Sequence, residues 1–239
     1  MERLDKILAA TGRWSRREAK ELIRQGRVLV DGRMASSAEE KVDPSAARIC
    51  VDGEALGWAA HTYVMLHKPA GVLTATEDSR QSTVLDLLPP ELRKKGLAPV
   101  GRLDKDTEGL LLLTDDGELT HRLLSPKYHV DKVYFARVEG TLTAEDVEAF
   151  AAGITLADGL ACRSAGLEIL TADTCLVTLR EGKYHQVKRM LASRGKPVTY
   201  LKRLSMGPLR LDESLAPGQY RPLHEEELRA LLDEAQSTT

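Results

Sequence analysis

Gly101-Arg102-Leu103-Asp104-Lys105-Asp106-Thr107-Glu108-Gly109-Leu110-Leu111-Leu112-Leu113 joins a glycine-bounded loop with three carboxylates to an unbroken run of leucines. A short apolar run next to turn residues fits a strand buried on both faces. A carboxylate on the preceding loop is then pinned to a rigid sheet, a place where reactive side chains are often carried. Read by itself, the pattern is more commonly an ordinary Asp-rich turn. Spacing alone leaves its role open.

Outward from this stretch, residues 63 to 66, 133 to 138, 167 to 170 and 175 to 179 also read as strands. Helical patterns occupy 144 to 152, 185 to 193 and 225 to 235. Strands outnumber helices and no regular βαβ alternation is present. The expected fold class is therefore α+β, with a mixed, largely antiparallel sheet flanked by helices.

The beginning of the chain follows a different pattern. Ser15-Arg16-Arg17-Glu18 has capping-box spacing, and Ala19, Leu22 and Ile23 recur at helical intervals until Gln25-Gly26. Leu4, Ile7 and Leu8 suggest a shorter helix before it, and residues 28 to 30 read as a strand. Val30-Asp31-Gly32 and Val51-Asp52-Gly53 each follow a β-branched run, as hairpin turns do. The unit closes near Leu56, and Gly57-Trp58-Ala59-Ala60 reads as a linker, so the expected domains are residues 1–58 and 59–239.

The formal net charge of −2 hides an uneven distribution. Residues 1 to 33 contain nine Lys/Arg against five Asp/Glu, and residues 182 to 211 contain eight Lys/Arg and no acid. The first helix pattern directs Arg16, Arg17, Lys20, Arg24 and Arg27 outward, and Lys183, Lys196, Lys202 and Arg203 suggest a second basic surface able to face a polyanion such as a nucleic acid. A charge run alone is more often a solvated face. The chain has no apolar stretch approaching the roughly 20 residues that span a bilayer, and its start lacks a secretory signal. It is expected in the cytoplasm, without a membrane partner and as a monomer. Cys50, Cys162 and Cys175 are widely spaced and form no Cys-x-x-Cys pair, so neither disulfides nor a zinc site are expected.

Dinucleotide, phosphate-loop, serine-hydrolase and His-Glu-x-x-His signatures are absent. No metal is expected. Residues 101 to 117, together with His67-Lys68-Pro69-Ala70-Gly71, Lys132-Val133-Tyr134 and the block Gly182-Lys183-Tyr184-His185-Gln186-Val187-Lys188-Arg189-Met190, resemble the active-site blocks of pseudouridine synthases. The first 55 or so residues resemble the small αβ RNA-binding domain shared with ribosomal small-subunit protein four. That domain order is similar to the ribosomal small-subunit pseudouridine synthase A family. Ser125-Pro126-Lys127-Tyr128-His129 resembles its small-subunit branch, with large-subunit rRNA as the alternative substrate. His67 departs from the family, which usually has Asn before Lys-Pro.

The resemblance implies an rRNA partner, no cofactor, Asp104 as the essential carboxylate, Lys188 as its cation and Tyr134 as a platform for the uracil. Arg189 is the alternative cation. Arg3, Lys6, Arg16, Arg17, Lys20, Arg27, Arg102, Lys183 and Arg189 are the candidate RNA contacts, which position the protein rather than read sequence. Making pseudouridine breaks the bond from ribose C1′ to N1, turns the base and joins C5 to C1′ without redox change. A carboxylate can attack sugar or base, or assist glycal formation. Two rivals remain: a non-catalytic rRNA-binding assembly factor, and a glycosidase drawing on Asp106 and Glu108 as a second carboxylate.

Overall fold

The computed structural model describes residues 1–10, 13–43, 47–55, 61–93, 95–125, 128 and 130–236. The linker read at 57–60, the closing Leu56, and Pro126, Lys127 and His129 of the small-subunit block lie outside them. The chain divides into two compact units, Met1–His61 and Thr62–Thr239.

In the first unit, α1 (Leu4–Ala10) precedes α2 (Arg16–Arg24). The capping box of α2 is formed: Ser15 accepts from the Glu18 amide, and the Glu18 carboxylate accepts from the Ser15 amide. Arg27 lies beyond α2, after Gln25 and the left-handed Gly26, so it is not on the helix face that the sequence suggested. Strands β1 (Val28–Val30), β2 (Arg33–Met34), β3 (Ile49–Val51) and β4 (Glu54–Ala55) form a sheet in the order β2-β1-β3-β4. Both hairpins turn through Asp-Gly pairs with positive φ at each residue, at Asp31-Gly32 and Asp52-Gly53, as two-residue turns of this hand require. Leu4, Ile7, Leu8, Ala19, Leu22 and Ile23 pack onto Val28, Val30, Ile49 and Val51 as a separate core.

The second unit is built on β5 (Tyr63–Lys68), β6 (Glu108–Thr114), β7 (Lys132–Val138), β8 (Gly166–Ile169), β9 (Thr174–Leu179), β10 (Val198–Met206) and β11 (Tyr220–Pro222). They lie in the order β8-β9-β7-β10-β6-β5-β11. The pairings along this path are antiparallel apart from β10 with β6, so the sheet is mixed and largely antiparallel. Helices α3 (Gly117–Leu124), α4 (Ala144–Ala152), α5 (Gln186–Ser193) and α6 (Glu225–Gln236) flank it.

The leucine run lies on β6 and is buried on both faces. Leu111 and Leu113 join Phe150 of α4 and Met190 of α5, while Leu110 and Leu112 join Leu119 of α3 and Leu231 of α6. Full burial of such a side chain contributes about 1.5–3 kcal/mol, so this strand is the best-anchored support available to the loop before it. Helix α3 and strand β10 have no counterpart among the elements read from sequence. Asp116 caps α3 by accepting from the Leu119 amide. β10 passes through the acid-free stretch expected to face RNA, and Arg203 is buried within it rather than set on an open surface.

Candidate active site

The loop carrying Asp104 is tied down at several points. The Thr74 hydroxyl donates to the Leu103 carbonyl (2.7 Å), and the Gly71 amide donates to that of Lys105 (2.7 Å). From below, the fully buried Lys68 ammonium donates to the carbonyls of Pro69 (2.9 Å), Lys105 (3.2 Å) and Thr107 (2.9 Å). Burial pushes the Lys68 pKa down to about 8, against the opposing pull of Asp106, Asp104 and Glu108. Gly109 closes the loop at φ +109°, opposite Arg203 of β10, and a Cβ there would overlap the Arg203 backbone. Only glycine permits that approach.

Lys188, near the start of α5, places its Nζ 2.5 Å from Asp106 and 3.2 Å from Asp104. Burial works to lower the Lys188 pKa, but the two carboxylates outweigh it and the pKa is raised. Hydrogen bonding from Lys188 holds Asp106 below its ordinary value. Arg189, the alternative cation, instead pairs with Asp158 at 2.6 Å. Glu108 accepts from the Tyr200 hydroxyl at 2.8 Å. Neither carboxylate beside Asp104 is free: one is held by lysine and the other by tyrosine.

Tyr134, on β7, contributes its ring to the core yet also borders the cleft in front of Asp104. A core tyrosine ordinarily has a tethered hydroxyl. That of Tyr134 makes no hydrogen bond among the described residues. The cleft, of about 940 Å³, is bordered by Thr74, Asp104, Lys132, Tyr134, His185 and Arg203. Arg102 and Lys183 also line it. Arg102 is exposed, and Lys183 pairs with Glu181 at 3.3 Å.

His185 was not singled out by sequence. It takes left-handed geometry (φ 48°, ψ 35°) as the cap before α5, so this helix starts one residue later than expected. Its Nε2 lies 3.4 Å from Asp104, and the ring stacks on Tyr184 with centroids 3.9 Å apart. Lys132 and Arg203 also border the cleft without having been assigned a role at the site from sequence. The block Lys132-Val133-Tyr134 carried a usable signal, since residues two apart on a strand share a face. His67 places its Nδ1 2.6 Å from the Leu215 carbonyl oxygen, and its Nε2 is buried without a hydrogen-bond partner among the described residues.

The N-terminal candidates form a separate group. Arg3, Arg16, Arg17, Lys20 and Arg24 border one surface groove in the first unit. Arg3 pairs with Asp5 and Glu39, Lys6 with Glu2, Lys20 with Asp5 and Arg27 with Asp52. Arg16 and Arg17 have no hydrogen bond or ion pair among the described residues.

A well-anchored carboxylate with a lysine partner, facing a cleft walled by a tyrosine, is a set of groups suited to covalent chemistry on a nucleoside. Residues 62–193 match the RNA pseudouridylate synthase family model, and residues 2–49 match the S4 domain model. The chain belongs to the RNA pseudouridylate synthase family and is an RNA pseudouridine synthase, an isomerase. It is 49% identical to an uncharacterized RNA pseudouridine synthase of Bacillus subtilis, covering 98% of this chain and 100% of that one. It is 40% identical to ribosomal small subunit pseudouridine synthase A of Escherichia coli, over 96% of this chain and 100% of the relative. A crystal structure of a pseudouridylate synthase aligns with TM-score 0.68 and 37% identity, covering 97% of this chain and 100% of that one. Among the described residues no helix is long and apolar enough to cross a membrane.

Proposed function

We propose that this chain converts one specific uridine of small-subunit ribosomal RNA to pseudouridine, with Asp104 as the essential nucleophile, Lys188 as its cationic partner and Tyr134 as the surface on which the flipped uracil rests. The observation that supports the reading most is the anchored Asp104 carboxylate, 3.2 Å from Lys188 at the edge of a cleft walled by Tyr134. The small-subunit assignment is supported by full-length likeness to relatives that bear that name.

The uridine leaves its stack at a cost of a few kcal/mol, and stacking against an aromatic ring returns about 1–3 kcal/mol of it. Asp104 then acts on the nucleoside, the C1′–N1 bond breaks, the uracil turns within the cleft, and C5 bonds to C1′ as its hydrogen leaves as a proton and N1 takes one up. No cofactor enters the balance. Arg3, Lys6, Arg16, Arg17, Lys20 and Arg27 of the first unit, with Arg102, Lys183 and Arg189 of the second, meet RNA phosphates. The protein acts in the cytoplasm as a monomer, with residues 1–58 as its RNA-binding domain and residues 59–239 as its catalytic domain.

The test uses rRNA transcripts carrying tritium at uracil C5, incubated with wild-type and Asp104→Asn protein. Tritium release by the wild type alone, with pseudouridine mapped to one small-subunit position, is expected. Silence from the wild type sinks the proposal. Activity in the variant identifies the wrong nucleophile, free uracil marks a glycosidase, and modification of large-subunit RNA alone transfers the substrate.

A further inference from the structure

The basic side chains of the second unit divide sharply by how they are satisfied. Lys188, Arg189, Arg194, Arg180 and Arg221 each meet at least one carboxylate, and buried Lys68 is satisfied by three carbonyls. Lys132 and Arg203 differ from these. Arg203 is only 2% exposed; its Nε donates to the Leu110 carbonyl (2.8 Å), and its Nη2 is buried with no hydrogen-bond partner among the described residues. Lys132 is also buried, and the one hydrogen bond of its ammonium goes to the Val130 carbonyl at 3.2 Å. Neither forms an ion pair with a carboxylate among the described residues.

Their placement follows from the sheet. Tyr134 of β7 is opposite Arg203 of β10, so the two side chains share a face. Lys132 is two residues before Tyr134 and shares that face as well. All three border the same cleft as Asp104. Burial, and secondly the charge of Arg203, push the Lys132 pKa down to about 8 against the weaker opposing pull of Asp131.

Two neighbouring buried cations with no carboxylate in ion-pair contact among the described residues are an arrangement that folding disfavours. It becomes favourable when an anion enters between them. RNA always supplies one class of anion at this distance from a ribose, the phosphodiester, and a guanidinium offers paired donors that match its two free oxygens. The charge that uracil gains while its glycosidic bond breaks is transient and offsets no standing cost in the bound complex.

We propose that Lys132 and Arg203 form a seat for a backbone phosphate of the nucleotide whose base rests on Tyr134, an inference that builds on the reading of the cleft given above. The seat fixes the sugar by its phosphate while Tyr134 fixes the base, leaving C1′ presented to Asp104.

Steady-state kinetics on an rRNA transcript, with wild type, Lys132→Gln, Arg203→Gln and Arg203→Lys, tests the assignment, each protein first checked for a cooperative thermal melt. Uridine and uridine 3′,5′-bisphosphate serve as competing ligands. Loss of either cation is expected to raise KM roughly tenfold or more with kcat little changed, and to make the log–log salt dependence shallower by about 0.7 to 0.9. Arg203→Lys recovers part of the loss. The wild type prefers the bisphosphate over uridine, and Lys132→Gln loses that preference, which decides the matter even if Arg203→Gln does not fold. A fall in kcat with unchanged KM, salt slope and bisphosphate preference overturns the phosphate seat in favour of uracil charge. Wild-type behaviour of Lys132→Gln, or equal inhibition by both ligands, also overturns it. Tritium release that persists in Asp104→Asn instead overturns the underlying reading of the cleft.

Discussion

Helix α2 and the cleft both gather positive charge, but they hold it in opposite ways. On α2 the cations stand in solvent, where Arg24 pairs with Glu21 and Arg16 and Arg17 form no ion pair among the described residues. In the cleft, Lys132 and Arg203 are buried, and Lys188 bridges two carboxylates. An exposed charge costs little to keep and contributes little to stability. A buried one must be satisfied by something. The first arrangement suits docking on a long anionic partner, and the second suits gripping one nucleotide.

The comparison breaks most visibly at Asp104. Asp104→Asn should lower kcat/KM by roughly three orders of magnitude or more while the affinity for RNA stays near that of wild type; tritium release and filter binding measure the two. Lys188→Gln should follow, with a loss of about a hundredfold carried mostly by kcat, and Lys188→Arg should regain part of it. A Lys188→Gln protein that loses affinity alone would place this lysine with the docking cations.

Tyr134→Ala should cost about 1–3 kcal/mol in kcat/KM. Tyr134→Phe should keep most activity if stacking is the role of the ring, since its hydroxyl is untethered. On the docking side, Arg16→Gln with Arg17→Gln should weaken RNA binding several-fold and reduce the salt slope by about 0.7 to 0.9 per phosphate lost, leaving kcat unchanged.

The smallest effect separates the two sets by pH. Folded Lys132 and Lys68 release their protons near pH 8, against an ordinary value of 10.5. Between these values the unfolded chain binds more protons, so these groups make stability rise as pH rises. Urea midpoints measured from pH 8 to 9.5 should show a flatter trend in Lys132→Gln, and no change of trend in the Arg16→Gln, Arg17→Gln protein.

The features legible in sequence were those whose physics is local. Ser15 and Glu18 announce the start of α2 by their spacing, Asp31-Gly32 and Asp52-Gly53 announce hairpins, and the leucine run announces a strand buried on both faces. The block containing Lys188 pointed to the residue that now lies beside Asp104. Strand β10 was illegible because its lysine and arginine look like surface residues, and only pairing with β7 and β6 explains why Arg203 is inside. Lys68 was quoted as part of a motif, but its hold on the Asp104 loop depends on carbonyls 37 and 39 residues away. His185 depends on a left-handed turn that no residue spacing announces.

Gly109 stands between Lys68 of β5 and Arg203 of β10 in the sheet. Because its missing side chain lets the Arg203 backbone come close, the strand leaving the Asp104 loop and the strand bearing Arg203 are held at one fixed separation. If Lys132 and Arg203 seat the phosphate as proposed, this fixed separation acts as a gauge for the span from a nucleotide's phosphate to its C1′. Any adjustment needed to meet that measure falls to the RNA.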